Sequence, residues 1–295
     1  MGLLINLALF AVEPYLLKLF YYLIGLIGIK SESVLYSNLS LTANIILYVL
    51  TFILPALFIY KRVLYKNYTI SLTPSFPRLY ILYFPLTIGG LSLILQYTYS
   101  FFNILSVFGI GVYSPNISLP ADTVGRILLF ILIVIVPAVV EELLFRKVIL
   151  ESLTEYGELF ALTVSSAAFA LMHCSPMQIP YAFLGGLIMG ITVLKTRSIV
   201  PSMLIHGANN LLSYVYLVLE TYMPTKVYEM TAVGISVFLR IGLIAAFVIL
   251  WQKKIFDIKD RTQLAFSPYK RVLCVPALIY VFLVLIMSLR WFYII

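Results

Sequence analysis

Long runs of Leu, Ile, Val and Phe, separated by short polar connections, dominate this chain. They can be traced at about residues 3–28, 42–60, 79–110, 124–150, 159–172, 181–194, 201–219, 230–252 and 272–293. Most approach the roughly 20 residues that carry an α-helix across a bilayer. None shows the two-residue alternation of a barrel strand, and only helices or closed barrels satisfy every backbone group in lipid. The pattern predicts an all-α, polytopic membrane helix bundle of about eight transmembrane helices. The fifth and sixth runs are short for full crossings. They are expected to enter the protein interior and turn near Pro176 and Pro180, which sets His173 at depth.

Composition agrees with the periodicity. Hydrophobic residues make up 62% of the chain and charged residues 11%, against about 25% charged in soluble domains, which leaves too little polar surface to coat a water-soluble globule. Residues 1–28 lack a basic leader, and Glu13, Pro14 and Lys18 interrupt them, so they read as a retained helix or interfacial segment rather than a cleaved signal. No repeat or separate soluble unit stands out, and residues 1–295 read as a single integral membrane domain.

The net charge of +8 gathers in two connections, one with Lys61, Arg62, Lys66 and Arg78, the other with Lys253, Lys254, Lys259, Arg261, Lys270 and Arg271 against Asp257 and Asp260. By the positive-inside rule both face the cytoplasm, and Lys195 and Arg197 fall on the same side if segments alternate. This basicity reads as topology and attraction to anionic lipid, not nucleic-acid binding. Cys174 and Cys274 are too few and too distant for a disulfide framework or thiol metal site. The sequons at Asn38, Asn67 and Asn116 carry no weight. Gly186 and Gly190 form a G-x-x-x-G expected at a close helix contact inside the bundle.

Against this apolar background Glu141, Glu142 and Arg146 stand out. An ionisable group at the centre of a membrane helix costs about 2.5–3.5 kcal/mol on insertion scales, so the three together would cost about 8 kcal/mol without partners. Glu142 and Arg146 are i and i+4, on one helix face, with the acid N-terminal to the base as an ion pair prefers. Glu141 lies about 100° round the helix and meets a different neighbour. Pro137 cannot donate to the carbonyl of Ile133, so the helix is expected to bend and open toward a cavity. A carboxylate without a counter-charge there suits a general base acting on water.

Both histidines of the chain fall in neighbouring apolar segments. Phe169 precedes His173 by one turn, and His206 stands one turn before Asn210 on a common face. Base, two imidazoles and an amide donor make a hydrolytic set, predicting a polar cavity among the central four helices.

Glu141-Glu142-x-x-x-Arg146, Phe169-x-x-x-His173 and His206-x-x-x-Asn210, in this order across four successive apolar segments, resemble the CAAX prenyl endopeptidase type II family, the Ras-converting enzyme type, within the CPBP (ABI) group of intramembrane proteases. The resemblance covers a catalytic core of about residues 124–215. It implies an endopeptidase that removes the last three residues of prenylated C-a-a-X proteins. By motif position it implies Glu141 as the base, His173 as its partner in holding water, and His206 and Asn210 as donors to the oxyanion. Glu142, Arg146 and Phe169 would support them, and Arg146 would also help fix the substrate chain. The implied partners are a prenylated C-terminal CAAX peptide or protein and the lipid bilayer. The expected location is a multi-pass position in the cell membrane of a prokaryote or the endoplasmic reticulum of a eukaryote, with the active site open toward the cytoplasm.

No cofactor is required by this reading. A zinc site of Glu141, His173 and His206 with water in the fourth position is an alternative by ligand type, but no H-E-x-x-H helix is present and Asn210 suits donating better than ligating. A proton-coupled transporter is a second alternative, which would call for inverted repeats where the polar groups here cluster once. A non-catalytic scaffold is a third, in which Glu141 and the histidines would satisfy one another.

Overall fold

The structure, a computed structural model, describes residues 2–63, 70–76, 79–113, 117–254 and 275–294. Lys66, Asn67, Arg78, Asn116, Asp257, Lys259, Asp260, Arg261, Lys270, Arg271 and Cys274 lie outside the described residues, as does the side chain of Arg62. Nine helical rods are found among the described residues, and they follow the apolar runs in order. They are α1 Gly2–Leu26, α2 Val34–Val63, α3 Tyr83–Val107 and the long composite rod α4 Thr123–Tyr156. After α4 come α5 Glu158–Met172, α6 Ile179–Thr196, α7 Val200–Tyr222, α8 Thr225–Gln252 and α9 Val275–Leu289. Six of the rods are both long and apolar enough to cross a membrane: α1, α2, α3 with its leading turn, α4, α6 and α8. This is a multi-pass, all-α membrane protein, but the expected count of eight is not reproduced. Rod α5, at 15 residues, is short, α9 begins at the edge of the described residues, and α7 carries His206, Asn209 and Asn210 among its apolar residues.

The rods divide into a central and a peripheral set. Half of the apolar window of α4 and 56% of that of α6 are buried, whereas only 11% is buried in α1 and α8. Around α4 the core is aromatic and aliphatic, with Phe52 from α2, Phe145 from α4, Phe169 from α5, Met189 from α6 and Ile205 from α7 packed together. Glycine lets α5 and α6 approach closely. A Cβ at Gly186 would come within 2.9 Å of the Ser166 Cβ, and one at Gly190 within 2.5 Å of a Leu162 methyl. The G-x-x-x-G is thus a contact within the bundle, as its apolar setting predicts.

Rod α4 is not a uniform helix. Asp122 caps it, accepting from the Gly125 N–H at 2.8 Å and from the Asn38 amide at 3.1 Å, which ties its start to α2. The stretch Ile131–Ile135 is π-helical, with the Val136 N–H reaching back to the Ile131 carbonyl. Pro137 follows immediately. With no N–H to offer, it breaks the regular ladder, and the wider turn re-registers the backbone. After an α-helical Val136–Glu142 the rod widens again over Leu143–Leu150. The two glutamates therefore sit on a short, regular segment between two wide ones.

Loop contacts fix the ends of the bundle. Ser71 N–H donates to the Arg197 carbonyl at 2.7 Å, Ile199 N–H donates to Ser71 at 3.2 Å, and Arg197 pairs with Glu158 at 2.9 Å, so the connections after α2, α4 and α6 meet at one end. At the other end β1 Ile110–Val112 and β2 Phe292–Ile294 pair antiparallel, Gly111 opposite Tyr293. Trp291 Nε1 donates to the carbonyl of Cys174 at 2.7 Å, clasping the turn between α5 and α6. Cys174 is buried there with φ of 48°.

Candidate active site

A cavity of about 540 Å³ occupies the middle of the bundle, walled by α1, α2, α3, α4, α5, α6 and α7. Glu141, Phe169, His173, His206 and Asn210 all line it. The five residues selected from the sequence, spread over 70 positions of chain, therefore converge on one hollow. Glu142 and Arg146, the other two, lie behind its wall and are fully buried.

Glu141 is 2% exposed. Its Oε1 accepts a hydrogen bond from the Tyr48 hydroxyl of α2. Its Oε2 is buried without a hydrogen-bond partner and lies 3.8 Å from His206 Nε2. One oxygen of Glu141 is thus fastened by a hydrogen bond, and the other has no hydrogen-bond partner. Tyr48 was not selected from the sequence. It is 93 residues from Glu141, and only the packing of α2 against α4 brings the two together. Stacking of Tyr48 on Phe52, with ring centroids 4.8 Å apart, holds the phenol in place.

Glu142 points the other way round the rod. Its Oε2 lies 3.3 Å from Arg146 Nε, the expected i, i+4 pair, at an angle short of hydrogen-bond geometry. Its Oε1 lies 3.2 Å from His206 Nδ1. The guanidinium of Arg146 rests over the Phe169 ring, 4.7 Å from its centroid, a cation–π contact strengthened by exclusion of water. Arg146 is thus packed beneath Phe169 rather than exposed to a substrate chain, contrary to the substrate-fixing role expected of it.

His206 bridges the two glutamates, one ring nitrogen toward each. His173 sits at the C-terminal end of α5, with Nδ1 3.0 Å from the Phe169 carbonyl. A carbonyl can only accept, so Nδ1 carries the hydrogen and Nε2 is left as an acceptor. Phe169 stands edge-on to both imidazoles, 5.2 Å from His173 and 5.8 Å from His206. His206 thus lies beside Glu141, whereas the family resemblance implies His173 as its partner in holding water. Asn210 Oδ1 lies 3.4 Å from the Asn209 amide, which leaves the Asn210 amide hydrogens for the cavity. Asn209, Gln178 and Tyr181 add polar atoms to the wall; none belongs to a motif that would have drawn notice.

Among the described residues no three His, Cys, Asp or Glu side chains are grouped so as to hold a metal ion.

Residues 123–212, spanning α4 to the middle of α7, match the family model described as type II CAAX prenyl endopeptidase Rce1-like. No curated protein and no solved structure matches the chain. The matched stretch holds every motif residue of the cavity, Glu141 through Asn210, and over that stretch the chain is similar to the Rce1-like, type II CAAX prenyl endopeptidase family.

Proposed function

We propose that the protein is a glutamate-dependent intramembrane endopeptidase that removes the C-terminal tripeptide from prenylated CAAX proteins. The observation that carries this reading is the division of labour within Glu141: Tyr48 fastens Oε1, while Oε2 stays unpartnered at the wall of a polar cavity, beside one imidazole and across from another. A carboxylate oriented at one oxygen and open at the other is equipped to hold a water and take its proton.

In this reading Glu141 Oε2 and the acceptor Nε2 of His173 hold the attacking water between them. As its oxygen adds to the scissile carbonyl, one proton passes to Glu141. The carbonyl oxygen becomes an oxyanion facing His206 Nε2 and the Asn210 amide, each well-placed donor worth about 3–4 kcal/mol. The C–N bond then breaks, and Glu141 returns its proton to the departing amine of the tripeptide. Charge balance favours His206 as a donor. Two carboxylates, Glu141 and Glu142, face one guanidinium, Arg146, and an imidazolium at His206 makes the buried group neutral. Glu142 holds the His206 ring by Nδ1, and Arg146 holds Glu142.

The cavity suits a lipidated peptide. Leu91, Leu132 and Met189 offer apolar wall beside the polar atoms, so isoprenoid and peptide can share one hollow inside the bilayer. We place the enzyme in the cell membrane of a prokaryote or the endoplasmic reticulum of a eukaryote, its basic ends and cavity entrance toward the cytoplasm. The reading uses no metal.

Purified protein incubated with a farnesylated CAAX peptide should release the intact C-terminal tripeptide, identified by mass spectrometry, and should do so equally in a strong chelator. A folded protein that cuts neither farnesylated nor geranylgeranylated peptide contradicts the proposal. Loss of activity on chelation, restored by zinc, contradicts its metal-free chemistry.

A further inference from the structure

Arg240 is the only ionisable residue between Met230 and Gln252, in a span whose other side chains face lipid or the bundle. About 18 Å of helix separates it from the end of α8 at Gln252, too far for its side chain to reach the interface. Among the described residues no carboxylate pairs with it. Its terminal nitrogen donates to the Gln96 side chain of α3, and its Nε is buried without a partner. An intramembrane cation without a counter-ion is costly, and such residues mark ligand sites by default.

The setting of Arg240 is a second hollow, about 490 Å³, between α3, α7 and α8. Its lining is mostly apolar but includes the polar side chains of Gln96, Ser100, Asn103 and Ser236 along with Arg240. Ser92, Leu95 and Tyr216 line this hollow and the Glu141 cavity alike, so the two adjoin. Gln96 lies one helical turn, about 6 Å, beyond Ser92. Three residues of extended chain span about 10 Å.

We infer that Arg240 is the anchor for the free α-carboxylate of the substrate's C-terminal residue, with Gln96 orienting the guanidinium. The inference rests on the endopeptidase reading and deepens it. It explains why a cut would fall three residues from a chain end, because a fixed carboxylate sets the distance to the scissile bond. A planar guanidinium also matches a carboxylate with two parallel hydrogen bonds.

The test compares one farnesylated CAAX peptide as its C-terminal acid and as its C-terminal amide, with wild type, Arg240→Gln and Arg240→Lys. Wild type should prefer the acid by about ten- to hundred-fold in kcat/KM, carried mainly by KM. Arg240→Gln should erase that preference and Arg240→Lys restore part of it, with thermal melts reporting that each variant is folded. Equal cutting of acid and amide by wild type, or a preference that survives in Arg240→Gln, overturns the anchor. Equilibrium binding of the same two peptides separates this failure from that of the parent reading. A peptide bound with the acid preferred yet never cut contradicts the hydrolase and supports the anchor, whereas binding without preference, or no binding, overturns the anchor.

Discussion

Glu141 and Glu142 are chemically identical neighbours on one rod, yet the two faces they occupy have opposite characters. The face of Glu141 looks into a hollow of about 540 Å³ and leaves one carboxylate oxygen without a partner. The face of Glu142 is packed solid, with His206 on one oxygen, Arg146 on the other and Phe169 over the guanidinium. The difference shows how a single residue step along a helix separates a carboxylate that faces a cavity from one packed in the protein. One peptide step is about 100° of rotation, enough to send consecutive side chains to separate environments, one open to reaction and one closed by ion pairing.

The comparison breaks most readily from the packed side. Glu142→Ala would strand a buried Arg146 and free the His206 ring, at an expected cost of about 3–5 kcal/mol in stability, read as a large drop in melting temperature. Unchanged melting together with lost turnover would mean that the two glutamates have exchanged roles. On the open side, Asn210→Ala should leave melting nearly intact and lower kcat by about 10²–10³-fold, since it removes a cavity donor and no packing. Tyr48→Phe sharpens the contrast further: it keeps the ring stack and removes the hydroxyl on Glu141 Oε1, with an expected loss of about ten-fold in kcat, near the value of one hydrogen bond to a charged group.

The smallest effect is expected at the far end of the same rod. Asp122 there is held below the usual carboxylate range by the Gly125 N–H and then the Asn38 amide. Its capping contribution is present above the ordinary carboxylate pKa and is lost as pH falls through its lowered value, so Asp122→Ala should slightly lower the melting temperature at neutral pH and make no difference in strong acid.

What the sequence made legible was local. The i, i+4 spacing announced the Glu142–Arg146 pair, Pro137 announced a disturbed rod, and a short fifth apolar run announced the short α5 that leads to His173, whereas the sixth run, expected to be too short for a crossing, forms an 18-residue helix long enough to cross a membrane. Contacts between distant segments were not legible. Tyr48 is one of 22 tyrosines, and nothing near it marks it as the partner of Glu141. His206 bridges both glutamates because α7 packs against α4, a fact of tertiary geometry. Trp291 closes on the Cys174 carbonyl across 117 residues. The number of spans escaped for a related reason: hydropathy counts residues that meet lipid and residues that meet protein alike, and the polar cavity-lining residues of α7, His206, Asn209 and Asn210, lower its apolar character.

The central claim is that Glu141, and not the pair beside it, takes the proton from water. Its most direct test is the rate of tripeptide release from a farnesylated CAAX peptide by Glu141→Gln, a change that keeps shape and the Tyr48 contact but removes the base. The account predicts a fall of about 10³-fold or more with the melting temperature of the wild type. Release at the wild-type rate by that variant would contradict it.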